Sequence, residues 1–146
     1  YRASTLETYR ANDDIVKGWR RVAARDSRTC MACIMMDGVV YRLADEMDDH
    51  PNGRCAMVPI TATYAELGID APEPEYNPGT AREWFEGQPE DVQRGMMGRE
   101  TFDAWKAGAF ELEDIPRLRE NATWGNSWTP RPLWDLLGAE PPVRTK

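Results

Sequence analysis

Histidine and cysteine are scarce in this chain, and their positions carry more information than their number. The 146 residues contain one histidine and three cysteines, and all four lie within residues 30–55. A single histidine counts against active sites that need an imidazole base in addition to the residues that bind a metal. Three cysteines cannot all form disulfides, so the alternatives are a metal site, one disulfide with a free thiol, or redox or catalytic use of a thiol.

Long apolar runs and an excess of basic residues are also missing. No stretch approaches the roughly 18 to 20 apolar residues of a membrane-spanning helix, and the start does not resemble a signal peptide, so we expect a soluble protein. The net charge is -7, and residues 61–146 hold nine basic against sixteen acidic residues. Such an acidic balance disfavours nucleic-acid binding. A local basic patch is the exception, and we interpret it as a solvated face or a DNA contact: Lys17, Arg20, Arg21, Arg25 and Arg28.

The spacing of the cysteines and the histidine predicts a metal site. Cys30-Met-Ala-Cys33 is followed by sixteen residues and then by His50-Pro-Asn-Gly-Arg-Cys55. Three thiols and one imidazole form a complete tetrahedral ligand set, which is typical of structural zinc because catalytic zinc usually keeps one position open. Four acidic neighbours could compete as ligands but are harder donors than thiolates. These are Asp45, Glu46, Asp48 and Asp49.

The patterns predict an α+β fold in which residues 1–70 form a zinc-stapled β-hairpin and knuckle. A short helix is expected near residues 5–12, a strand over residues 16–24, and a second apolar strand over residues 54–60. The Asp37-Gly38 dipeptide predicts a hairpin turn after the knuckle, leading into a strand at residues 39–43. Residues 71–79 contain three prolines and predict an extended linker.

Residues 80–146 predict a cluster of short, aromatic-rich helices packed on the first part. Thr80 and Glu83 match a capping box that begins one helix. Further helices are expected after Pro89, from Arg99 to a stop at Gly108, over residues 110–115, and over residues 132–138. Residues 124–130 are turn-rich, and we expect both of their tryptophans to pack against the fold. Residues 140–146 predict a frayed tail or an approach to a neighbour.

The metal motif resembles the C-terminal part of tailed-phage minor head proteins, the head morphogenesis (Mu F-like) family. Members show Arg-Thr-Cys-x-x-Cys, a following Asp-Gly, and His-Pro-x-Cys-Arg-Cys. The matching segments are the run from Trp19 to Cys33, then Asp37-Gly38, then residues 50–55. Trp84-Phe85, Gln88-Pro-Glu and Phe102-x-x-Trp105-Lys-x-Gly108 also resemble the extension seen in phage members. Gly53 departs from the pattern, because many members have a cysteine there, and Cys55 alone then provides the last thiol.

The resemblance implies a structural, non-enzymatic assembly module of a phage head that contacts portal or capsid proteins or packaged DNA. It implies a location in the virion, and in the host cytoplasm during assembly. The start at Tyr1 without methionine suggests a processed piece of a longer chain. The alternative is a nuclease or toxin-like effector delivered with the phage genome. Its candidate residues would be Arg25, Arg28 and Arg54 for phosphate contact, with Asp26 or Asp37 binding a metal or accepting a proton.

Overall fold

The computed structural model describes residues 2–143 as a mixed α+β fold, which confirms the predicted fold class. Tyr1 and the last three residues of the expected tail lie outside the described residues, and residues 141–143 have no regular structure. No helix in the described part of the chain is both long and apolar enough to cross a membrane.

The first part of the chain is built on a three-stranded antiparallel sheet in the order β2-β1-β3. Helix α1 (Arg2–Ala11) precedes the central strand β1 (Val16–Ala23), which confirms both predicted elements. The short helix α2 (Met31–Met35) separates β1 from β2 (Val40–Tyr41), and β3 (Cys55–Thr61) pairs along the other side of β1. The register of β1 and β3 places Ala23 opposite Cys55.

The hairpin predicted around Asp37-Gly38 is not formed between neighbouring segments. Residues before the turn are helical in α2, and β2 after the turn pairs with β1, with Trp19 opposite Tyr41. The Asp37-Gly38 turn therefore ends the knuckle and returns the chain to the sheet. The sequence signal for a turn was sound, but the Cys30-x-x-Cys33 knuckle favours helix over strand before it.

The second part contains three helices joined by short turns, then a hairpin and a last short helix. The helices are α3 (Ala81–Glu86), α4 (Glu90–Met97) and α5 (Arg99–Lys106). The capping box is confirmed, because the Thr80 hydroxyl accepts from the Glu83 amide and the Glu83 carboxylate accepts from the Thr80 amide. Helix α6 (Leu133–Leu136) follows Pro132 and is followed by Gly138 at a φ of 69°, as predicted.

Two findings in the C-terminal forty residues differ from the predictions. The short helix expected over residues 110–115 is present as a 3-10 helix at Leu112–Asp114, but strands β4 (Pro116–Arg119) and β5 (Ser127–Pro130) then form an antiparallel hairpin that the sequence did not reveal. Of the two tryptophans in the turn-rich segment, Trp128 is half-buried, whereas Trp124 is 87% exposed at the hairpin tip. Trp124 does not pack against the fold.

One apolar core joins the residues before and after the proline-rich segment 71–79, which is exposed and lacks regular structure. This core contains Ala23, Met31, Cys33, Ile34 and Cys55 from the first part, and Ala81, Phe85, Phe110, Leu112 and Ile115 from the second. The two parts therefore fold against each other.

A smaller cluster of Leu6, Trp19 and Met57 lies between α1 and the sheet, where the indole of Trp19 stacks on the ring of Tyr41 at 4.2 Å.

Candidate metal centre

The candidate site is assembled from three segments: the knuckle, the loop before β3, and the first residue of β3. Cys30 caps the N-terminus of α2 and its sulfur accepts a hydrogen bond from the Cys33 amide at 3.4 Å. His50 lies in the loop, and Cys55 begins β3 beside the end of β1. Sheet pairing and the short helix thus bring residues more than twenty positions apart in sequence to one place.

The ligand atoms fall into two overlapping groups that share Cys33. Cys30, Cys33 and His50 form one group, and Cys33, Asp49 and Cys55 form the other, with all ligand atoms of a group within 4.8 Å of one another. His50 Nε2 lies 3.1 Å from Cys30 Sγ and 3.5 Å from Cys33 Sγ. These five residues are positioned to hold a metal ion.

The spacing of the first group fits a small tetrahedral ion. Zinc–sulfur distances of about 2.3 Å and zinc–nitrogen distances of about 2.0 Å place the sulfur and nitrogen ligands of one ion roughly 3.5 Å apart. The two measured sulfur–nitrogen distances, 3.1 and 3.5 Å, are close to this value. All three cysteines are free thiols, so each is available as a ligand.

Asp49 is the only one of the four acidic neighbours whose carboxylate joins either metal-binding group in the described part of the chain. Its side chain is fully buried and forms ion pairs with Arg2 and Arg21. Gly53 makes room for it, because a Cβ on Gly53 would lie 2.0 Å from Asp49 Oδ2. The carboxylate therefore fills the space that any larger residue at position 53 would occupy.

Arg21 is the charged residue on which the electrostatics of the site depend, and its exposure is 0%. Its Nη2 lies 3.7 Å from Cys33 Sγ and 3.4 Å from Asp49 Oδ1, and its Nη1 donates to the Asp48 carbonyl at 3.1 Å. The prediction that Arg21 belongs to an exposed basic patch is therefore wrong. Alternation along β1 puts Arg21 on the same buried face as Trp19 and Ala23.

The thiols and Arg21 shift one another's pKa values. Hydrogen bonds from the Cys30 and Cys55 thiols, with further help from Arg21, hold the pKa of Cys33 far below its usual value. The hydrogen bonds to Cys33 and burial raise the pKa of Cys30 and Cys55. Burial opposes the charge of Arg21, but attraction by Cys55 and hydrogen bonds to the thiols raise its pKa overall. The lowered pKa of Cys33 and the raised pKa of Arg21 both favour a thiolate–guanidinium contact at this position.

His50 completes the imidazole side of the site. Its side chain is 24% exposed, and Nδ1 lies 3.0 Å from the Pro51 carbonyl oxygen. Burial lowers its pKa, but the backbone contact with Pro51 and the nearby Cys33 outweigh this effect and raise the pKa overall. An Nδ1–H donated to Pro51 would leave Nε2, which faces both thiols of the knuckle, free to bind a metal.

The rest of the predicted basic patch is dispersed. Lys17 and Arg28 are exposed and Arg20 is half-buried. Arg25 donates to the Pro78 and Gly79 carbonyls at 2.7 and 2.9 Å, so it holds the end of the proline-rich segment against the first part.

The two carboxylates of the effector alternative are engaged in structural contacts. The carboxylate of Asp26 accepts from Arg54 and from the Arg28 amide. Asp37 Oδ1 accepts from the Ala23 amide at 2.7 Å, and its Oδ2 accepts from the Ala81 amide at 2.8 Å. Asp37 thus ties the end of β1 to the first residue of α3, a role that sequence analysis missed.

Comparisons with protein-family models, with curated proteins and with solved structures found no match for this chain. The resemblance to phage head proteins is therefore supported by the spacing of the motif in the sequence alone.

Proposed function

We propose that this chain is a zinc-stabilised structural and interaction module of a tailed-phage minor head protein, acting in head assembly at or near the portal. The observation that supports it best is that the three thiols and the single imidazole lie in two overlapping groups that share Cys33. Such a ligand set leaves no open position for substrate on a tetrahedral ion, which favours a structural metal.

Charge balance favours zinc with three thiolates. Counted apart from the thiols and the metal, Arg2, Arg21 and Asp49 leave one excess positive charge at the site. A divalent ion with three thiolates and a neutral imidazole adds one negative charge and brings the sum to zero. A ligand set with Asp49 and only two thiolates would leave one positive charge uncompensated beside the fully buried Arg21, and burial of an uncompensated charge is costly. We therefore assign Cys30, Cys33, His50 and Cys55 as ligands. Asp49 pairs with Arg2 and Arg21 and does not bind the metal in this assignment.

A non-enzymatic role is part of the proposal. The only histidine belongs to the metal set, and the carboxylates of the effector alternative are held by Arg54 and by two backbone amides. A catalytic carboxylate would need to be free to move a proton or bind a second ion. Incubating the purified chain with DNA or RNA and a divalent metal tests this point, and cleavage above that of a buffer control would contradict it.

The metal assignment is tested by zinc content and by Cys33→Ser. The protein should contain one zinc per chain, and the variant should lose zinc and show a lower Tm because metal binding contributes to folding. Asp45→Asn is the matched control, since Asp45 belongs to the acidic segment before His50 but pairs with Arg42 and joins neither metal-binding group. Equal zinc content in wild type and Cys33→Ser would refute the ligand set.

The assembly role requires a separate measurement. Mass spectrometry of purified phage particles should find the chain at low copy number, together with portal and capsid proteins. Absence from particles whose other head proteins are all detected would refute the phage assignment while leaving the zinc site untouched.

A further inference from the structure

Residues 49–53, in the loop before β3, are called the metal loop here. Together with the β4–β5 hairpin they line a cleft of about 1100 Å³. Its walls include Arg2 from α1, His50 and Asn52 from the metal loop, and Arg119 and Trp124 from the hairpin. Two of the assigned metal ligands, His50 and Cys55, also line the cleft, so the metal site forms part of one wall. None of the predictions from the sequence placed a nucleic-acid contact here.

Trp124 gives the cleft an exposed aromatic face. Among the six tryptophans, all of which lie in the described part of the chain, Trp124 alone is exposed. The turn that carries it is ordered by Asn121, whose Oδ1 accepts from the Thr123 and Trp124 amides at 2.9 Å each. Gly125 follows with a φ of 78°, which favours glycine there. The turn therefore orders the backbone from which the indole projects into water, where it can stack on a ligand.

The exposed charge of the cleft is positive, although the whole chain carries -7. Asp49 is the only carboxylate in the described lining, and its side chain is fully buried and paired with Arg2 and Arg21. Arg119 is exposed, and no partner of its guanidinium is found among the described residues. An anionic ligand would therefore meet a cation without displacing an existing ion pair.

We propose that this cleft binds single-stranded nucleic acid, with a base stacked on Trp124 and a phosphate contacting Arg119. Each nucleotide supplies both a planar ring and a phosphate, which suits a cleft lined by an exposed indole and an exposed arginine. An acidic peptide would satisfy the arginines but would have to bring a suitable aromatic residue as well. The proposal depends neither on the phage assignment nor on the identity of the metal.

Fluorescence anisotropy with a labelled oligothymidylate at low salt tests the proposal on the zinc-loaded chain. Replacing Trp124 by alanine should weaken binding roughly fivefold to a hundredfold, the range expected for one stacked base, and Trp124→Phe should restore most of it. Arg119→Gln should reduce the salt dependence by about 0.7 in the slope of log K against log salt, as expected for one lost phosphate contact.

Two variants outside the cleft serve as matched controls. Tyr76→Ala removes an aromatic side chain that is 66% exposed on the proline-rich segment, and Arg28→Gln removes an exposed arginine of the dispersed basic patch. Both should bind as the wild type does. Circular dichroism and zinc content must be unchanged in Trp124→Ala, so that a loss of binding cannot be a loss of fold.

Three binding results would each overturn the proposal: no binding by the folded wild type at low salt, unchanged binding by Trp124→Ala, or loss of binding in the two control variants. A competition experiment provides a fourth. Competition with polyglutamate separates stacking from charge. If polyglutamate displaces the oligonucleotide as well as unlabelled oligothymidylate does, the cleft recognises charge alone and suits an acidic protein, and the nucleic-acid assignment is wrong.

Discussion

Replacing Arg21 by methionine should weaken zinc binding without removing any ligand. The guanidinium Nη2 lies 3.7 Å from Cys33 Sγ, and two unit charges about 4 Å apart interact by about 4 kcal/mol at an effective dielectric constant of about 20. Bonding to the metal withdraws much of the thiolate charge, so a smaller effect is expected. Loss of a partner that supports metal ligands typically lowers metal affinity about 10- to 100-fold, which is about 1.4 to 2.8 kcal/mol.

The assay is competition for zinc between the folded protein and a chelator, supported by cobalt substitution. Cobalt bound by thiolates gives a charge-transfer absorption that reports on the electrons of the sulfur ligands, and it should shift in Arg21→Met. Arg21→Lys keeps the charge and should recover most of the affinity. Arg20→Met is the matched control, because Arg20 is the next residue of β1 and points to the other face of the sheet. A zinc affinity within twofold of wild type in a folded Arg21→Met variant would refute the charge-balance reasoning.

Three further predictions concern the same region. Asp37→Ala leaves the Ala23 and Ala81 amides without their acceptor and should cost about 1 to 3 kcal/mol in urea unfolding; an unchanged midpoint would contradict the bridging role. Gly53→Ala should displace Asp49 and destabilise the folded protein by about 1 to 3 kcal/mol, whereas Gly95→Ala, in open space within α4, should stabilise it by up to about 1 kcal/mol. Zinc affinity should fall as pH falls. The pKa values of Cys30 and Cys55 are raised, so zinc binding must release their protons and acid competes with the metal. A pH-independent zinc affinity would contradict thiolate ligation.

Local signals predicted the elements whose determinants lie within a few residues of one another. The Thr80 and Glu83 capping box, the α5 stop near Gly108 and the strand character of β1 all follow from short-range patterns, and the structure has them. The spacing of the three cysteines and the histidine predicted a metal site, and the structure brings these residues together in two overlapping groups. In these cases the local sequence determines the backbone conformation, and contacts with distant residues change it little.

The elements and contacts that the sequence did not predict depend on packing between residues far apart in the chain. Strand β4 contains Pro116, Arg117 and Arg119, which are poor strand signals, and it forms because it pairs with β5 and packs near α2. The role of Asp37 depends on a helix that begins more than forty residues later. The burial of Arg21 could have been inferred from its two-residue spacing to Trp19, but its charge argued for the surface.

The shared core gives the proline-rich segment 71–79 an unusual property. The segment is exposed and open to a protease, yet the chains on its two sides are held together by Phe85, Ile115 and their neighbours packed on α2, and by the two hydrogen bonds of Asp37. A cut in this segment should therefore yield a nicked protein that migrates as one particle in native gels and as two fragments only after denaturation. The chain can thus be cut within residues 71–79 while its two parts stay associated through the shared core.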